Sequence, residues 1–149
     1  MWHINTAMHK LMSYDYRTPG QVRNIISKKL NTYLDGGVCN FDGVLTTPWF
    51  WAHRGNASVT NCHDETGLEC FVNKLHIDDD FAKVEWIDAI CVFSELLQRC
   101  LDGQSVRVIA TIDDLSCTVR FHAIRDGQDW LKSGIETYTT PVMYCDYNV

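Results

Sequence analysis

Two short runs, VRVIATI at 106–112 and SCTVRFHAI at 116–124, stand on either side of Asp-Asp-Leu. Side chains of a strand alternate between its two faces. A connection this short joins antiparallel neighbours. The pair therefore predicts a β-hairpin, and any fold for this chain must be built around antiparallel sheet. Cys117, Val119 and Phe121 fall on one strand face, and His122 falls on the other.

The flanking segments extend this frame. Thr18-Pro19 reads as an N-cap followed by proline at the first helical position. Val22, Ile25, Ile26, Leu30, Tyr33 and Leu34 then recur at helical spacing, and Gly36-Gly37 supplies a stop. A helix over 19–35 follows. TPWFWAH and LECFVNKLHI are expected as strands separated by a polar loop. Phe71, Leu75 and Ile77 are expected on the core face of the second strand. Asp78-Asp79-Asp80 reads as a cap and acidic first turn for a helix over about 81–101. Its stripe is Ile90, Phe93, Leu97 and Leu101, widened by Val84, Trp86, Ile87 and Leu96. A helical turn within 129–137 and a last strand at PVMYCDY complete the order. The expected class is α+β: a single domain over 1–149, with an antiparallel sheet and two main helices packed on it.

The 149 residues are 46% apolar and 21% charged, enough for a real core without a metal or disulfides. Thirteen basic against 19 acidic residues give a net charge of −6. This charge argues against nucleic acid as a partner, since phosphate binding draws on Lys and Arg. It suits a basic protein partner. Seven cysteines cannot all pair within one chain, and no C-x-x-C occurs. Thiols at core positions such as Cys91 and Cys117 point to a reducing cytoplasm. The first residues lack the pattern of a secretory signal. No stretch reaches the ~18 apolar residues of a membrane span. The Asn56-Ala57-Ser58 sequon is read as chance.

Three kinds of chemistry can be written from the residue types. CHDETGLEC holds Cys62, His63, Asp64, Glu65, Glu69 and Cys70, all zinc-ligand types. Its C-x7-C spacing matches no compact knuckle, and the reading adopted is a polar loop with no metal and no cofactor. A Cys–His nucleophile needs an ionisable thiol near a base; Cys62 or Cys70 with His76 are the candidates. Cys117 with His122 is excluded by their opposite faces. Carboxylates cluster at Asp78–Asp80 and at Asp113-Asp114, where caps and turns use Asp for ordinary structural reasons. No P-loop, G-x-S-x-G or H-E-x-x-H occurs.

The C-terminal third is more specific. After the hairpin, Asp126-Gly127 turns the chain, Trp130 and Leu131 read as buried apolar plugs, and Pro141 opens the last strand. Arg120, Phe121, His122, Arg125, Gly127, Trp130, Leu131, Tyr138, Pro141 and Val142 give a layout that resembles small bacterial immunity proteins. Those proteins neutralise polymorphic toxins, including those of contact-dependent growth inhibition systems. The resemblance implies a non-enzymatic cytoplasmic inhibitor that binds a cognate toxin domain, with no nucleic-acid or membrane partner. For a nuclease toxin with a basic channel, the clustered acids Asp64, Glu65, Asp78, Asp79, Asp80, Asp113 and Asp114 are the candidate contacts. Two alternatives stand beside it. One is a small enzyme or ligand-binding protein using the Cys62–His76 region; the other is an accessory subunit of a larger complex.

Overall fold

The computed structural model describes residues 1–13, 20–132 and 134–148, with residues 20 and 21 as backbone only. In chain order the elements are β1 (Trp2–Ile4), α1 (Thr6–Met12), α2 (Gly20–Leu34), β2 (Cys39–Phe41), β3 (Val44–Thr46), α3 (Pro48–Ala52), α4 (Val59–Cys62), α5 (Glu65–Val72), β4 (Lys74–His76), α6 (Ile77–Asp80), α7 (Trp86–Arg99), β5 (Val106–Ile112), β6 (Cys117–Ala123) and β7 (Val142–Tyr147). Five strands form one antiparallel sheet in the order β1-β7-β5-β6-β4, and β2-β3 form a small second sheet. The class is α+β, as the periodicity predicts, with α2 and α7 as the main helices.

The hairpin forms in the expected register, with Val108 opposite Phe121, Ala110 opposite Val119 and Ile112 opposite Cys117. These residues point to one side and are buried in the main core with Ile90, Phe93 and Leu97 of α7 and Ile26 and Leu30 of α2. Gly36 and Gly37, at φ +85° and +75°, end the turn after α2 in a region only glycine enters freely. The Thr18-Pro19 cap lies outside the described residues.

Two expected strands are helices. TPWFWAH contains α3: Thr47 is its N-cap, Pro48 sits in its first turn, and the Thr47 hydroxyl accepts from Phe50 N–H. The cap signal outweighs the β preference of Trp and Phe, which is a matter of packing context. In LECFVNKLHI the first part belongs to α5, capped by Asp64, whose Oδ1 accepts from Gly67 N–H at 2.7 Å. The alternation misleads because α5 is buried on nearly every side. Phe71, expected in the core, is 58% exposed, while Leu75 and Ile77 are buried as expected. The acidic triplet lies in α6, one turn before α7 rather than in it, and Val84 in the intervening 3-10 turn is exposed. The N-terminal β1 and α1 were not foreseen. Buried Asn5 caps α1 by accepting from Met8 N–H, accepts also from Val142 N–H at 3.0 Å, and donates to Thr140 C=O at 2.8 Å. One side chain thus ties the start of the chain to its last strand.

The edge of β6 is the other junction. β4 covers only Thr118–Arg120 of this seven-residue strand. Beyond β4, side chains take over the ladder. Asp78 accepts from Cys117 N–H at 2.9 Å, Asn73 donates to Phe121 C=O at 3.1 Å, and Glu69 accepts from Ala123 N–H at 2.8 Å. Glu69 and Asn73 lie four apart, on one face of a helix. The same two side chains reach across to β3. Glu69 Oε2 accepts from Leu45 N–H at 2.7 Å, Asn73 Nδ2 donates to Leu45 C=O at 2.7 Å, and the Thr46 hydroxyl donates to Asn73 Oδ1 at 2.6 Å. A helix pair of side chains therefore stands where a strand would join the two sheets. Glu69 is fully buried, and its charge is met by both Arg125 amino groups, each at 2.7 Å.

Removing one partner of a buried ion pair leaves an uncompensated charge, typically at 3–5 kcal/mol. A quarter of the Arg125 side chain is exposed, which puts the effect at the lower end. Arg125→Met is expected to lower the unfolding free energy by about 3 kcal/mol in urea titration. A loss under about 1 kcal/mol would show that the pair does not hold the sheets together.

Candidate functional site

α6, through Asp78, and the hairpin turn with Asp113 and Asp114 meet at one end of the main sheet, while Asp80 bonds Tyr33 of α2. α6 packs against the start of β6 through the Asp78 bond to Cys117 N–H, and the hairpin turn carries Asp113 and Asp114. Lys83 Nζ donates to Asp114 C=O at 3.5 Å, linking the turn to the segment after α6. Asp64 and Glu65 are elsewhere, at the start of α5 toward the other end of β6. Asp64 caps that helix, and Glu65 accepts from Gln128 Nε2 at 2.8 Å. These two candidates do not join the others.

Each clustered carboxylate has a distinct setting. Asp113 accepts from Leu115 N–H, Ser116 N–H and the Ser116 hydroxyl. The Leu115 amide, followed by these Ser116 donors, holds its carboxyl below the usual range. Asp80 accepts from the Tyr33 hydroxyl. Burial and then the Asp80 bond push that phenol up to about 12. Asp79 and the carboxyl of Asp114 are exposed and have no structural bond among the described residues. Beside this end lies a recess of ≈ 280 Å³ lined by Leu11, Lys83, Val84, Trp86, Ile87 and Ile112. Val84 on its rim is 51% exposed, and Leu115 at the hairpin tip is 87% exposed. The hollow is largely apolar, and Lys83 in its lining reaches the turn that carries Asp114. The sequence showed the carboxylates but not the recess, whose walls come from distant parts of the chain.

The thiol candidates separate. Cys62 ends α4, half-buried, and His76 is exposed at the end of β4, with no hydrogen bond between them. Burial raises the Cys70 and Cys117 thiols far above their ordinary value and pushes Cys91 up to about 11. These three stay protonated at neutral pH, which removes the nucleophilic form. Among the described residues no three His, Cys, Asp or Glu side chains gather as metal ligands do. None of the seven cysteines is paired.

The second face of the sheet is polar. Its rows read Lys74–Arg120–Ile109–Tyr144–His3 and His122–Arg107–Asp146 across the strands. Arg107 is engaged by Asp146 at 2.7 Å and Asp129 at 3.1 Å. Leu131 is buried against Ile109 and Val142, as a plug should be. Trp130 is not a plug: it is 42% exposed, with the Arg120 guanidinium 5.0 Å above its ring centre. The turn that carries it is held by the Arg125–Glu69 pair, so the ring rides on the strap instead of entering the core.

His122 is buried on this face. Its Nδ1 is 2.7 Å from Ala123 C=O, and its Nε2 has no partner. Burial pushes the imidazole below its ordinary value, with Arg107 adding to the effect, against the Ala123 carbonyl, Glu69 and Asp129. The folded protein therefore keeps His122 neutral where the unfolded chain, titrating near about 6.5, takes up a proton. Stability is expected to fall as pH drops below about 6.5, by at most about 1.4 kcal/mol per unit from this group. His122→Gln should flatten that part of the profile in urea titrations run from pH 7.5 to about 5.5. An unchanged slope would rule His122 out as the source.

The chain is a small α+β protein with acidic side chains and an apolar recess at one end of its main sheet. The described residues contain no helix long and apolar enough to cross a membrane. The chain belongs to the Uncharacterized protein PM0498 family, which it matches over residues 3–149. No curated protein and no solved structure matches it.

Proposed function

We propose that this protein is a non-enzymatic inhibitor that binds and neutralises a cognate bacterial toxin domain in the cytoplasm. The observation that carries the reading is that α6, which bears Asp78–Asp80, meets the hairpin turn of Asp113-Asp114 near the apolar recess of Leu11, Val84, Ile87 and Ile112. A basic partner with an apolar anchor fits this surface: the anchor fills the recess, and its cations meet Asp79 and Asp114. The net charge of −6 steers such a partner toward the protein. The layout of the C-terminal third, which resembles that of immunity proteins, supports a toxin domain as the partner. Seven unpaired cysteines fit a reducing compartment. Asp64 and Glu65, having structural bonds of their own, take no part in this contact.

The test is affinity capture of a partner from its own cells and co-expression with that partner, read as rescue of growth, together with association kinetics of the purified pair. Asp79→Lys with Asp114→Lys is expected to slow association about tenfold at low salt and to flatten its salt dependence. Val84→Glu is expected to abolish rescue by placing a charge in the recess. Absence of rescue by the wild-type protein would sink the inhibitor reading. Rescue that survives both sets of changes would move the contact to another surface.

A further inference from the structure

Lys74 and Arg120 stand directly opposite each other on β4 and β6. The β6 groups that face its outer edge are those of Cys117, Phe121 and Ala123. Their odd-numbered spacing makes Lys74–Arg120 a non-hydrogen-bonded pair, with Cα atoms about 4.5 Å apart and side chains at closest approach. Like charges in this position repel. The ion pairs among the described residues are Arg23–Glu95, Arg107–Asp129, Arg107–Asp146 and Arg125–Glu69. Neither Lys74 nor Arg120 is in any of them. Arg120 donates to Cys70 C=O at 3.2 Å and lies over Trp130, which fixes its guanidinium but supplies no negative charge.

The arrangement has a cost without a visible return. Burial and the neighbouring Arg120 both lower the Lys74 ammonium from its ordinary value, and burial lowers Arg120. Arg107, which could not be left bare either, is given two carboxylates on the same face. Two residues beyond Arg120 on that face, buried His122 has an Nε2 with no partner. The surroundings are open: Lys74 and Arg120 are half-buried, and Trp130, Phe71 and His76 are exposed.

We propose that Lys74 and Arg120 form a binding site for a phosphate monoester on the second face of the sheet. Two adjacent cations call for a dianion, and a single carboxylate neutralises only one of them. The guanidinium offers paired donors to phosphate oxygens, and the ammonium adds a point charge. The chain's negative balance and the small size of the patch favour a small organic phosphate over a nucleic acid. The site is independent of the acidic end, and the two readings fail separately.

The experiment is thermal denaturation of the full chain in sodium phosphate, sodium acetate and sodium chloride at equal ionic strength, with phosphate binding measured by calorimetry. Wild type is expected to bind one phosphate. It should gain about 4 °C in melting temperature at a phosphate concentration about tenfold above the dissociation constant. Acetate should give no gain over chloride. Lys74→Gln, a change on a half-exposed edge position, is expected to lose the phosphate gain and to melt higher than wild type in chloride, because the repulsion is gone. Arg120→Gln should lose the gain as well. An equal phosphate gain in wild type and Lys74→Gln, no saturable binding, or a matching gain in acetate would each overturn the proposal. So would a Lys74→Gln variant less stable than wild type in chloride, since the lysine would then have a favourable partner already.

Discussion

The edge of β6 is the constraint on which the rest depends. A buried strand edge cannot leave its N–H and C=O groups unpaired. β4 is too short to pair them, so Asp78, Asn73 and Glu69 supply the missing acceptors and donors. Glu69 can do this only as a buried carboxylate, and a buried carboxylate requires a counter-charge. Arg125 provides it, which fixes the turn after β6. From that turn Gln128 reaches Thr66 and Glu65, closing the loop back onto α5. The strap that follows then lays Asp129 against Arg107 and Leu131 against Ile109. The arrangement of the second face thus follows from one edge that β4 leaves uncovered.

The parts legible in the sequence were those with a single dominant signal. The hairpin, α7 and the last strand show clear periodicity, and Asp126-Gly127 marks its turn. α5 hides in the sequence because both of its sides are buried, so the alternation of Phe71, Leu75 and Ile77 reads as one strand although only the part from Lys74 is extended. α3 hides because three large aromatics outweigh the Thr47-Pro48 start signal, although the same signal at Thr18-Pro19 reads as a helix start. β1 leaves no pattern in three residues, and the role of Asn5 depends on strand β7 at the far end of the chain. Glu69 was visible only as one acid in a polar loop. No local pattern announces a carboxylate whose partners come from β3, β6 and Arg125.

The same limit applies to the surfaces. Runs of Asp are conspicuous, so the acidic end could be named in advance, but Asp78 and Asp113 in it are consumed by backbone bonds. Asp64 does the same service for α5. What distinguishes the carboxyls of Asp79 and Asp114 is that no other described residue bonds them. The cation pair is the reverse case. Lys74 and Arg120 are unremarkable in the sequence, and only the strand register makes them neighbours.

The segments around the apolar recess are held by carboxylates that accept from main-chain N–H groups. Glu85 Oε1 accepts from Ala82 N–H at 3.1 Å, closing the turn that presents Val84. Asp113 Oδ1 accepts from Leu115 N–H at 2.9 Å, fixing the tip that presents Leu115. Lys83 spans the two, reaching Asp114 C=O while lying over the Trp86 ring. A surface already held in its binding shape loses little freedom when a partner arrives. The structural acids and the free acids therefore divide the work. Under the proposed contact, Asp113 would hold the hairpin tip in shape, while Asp79 and Asp114 would act on the rate at which a basic partner arrives.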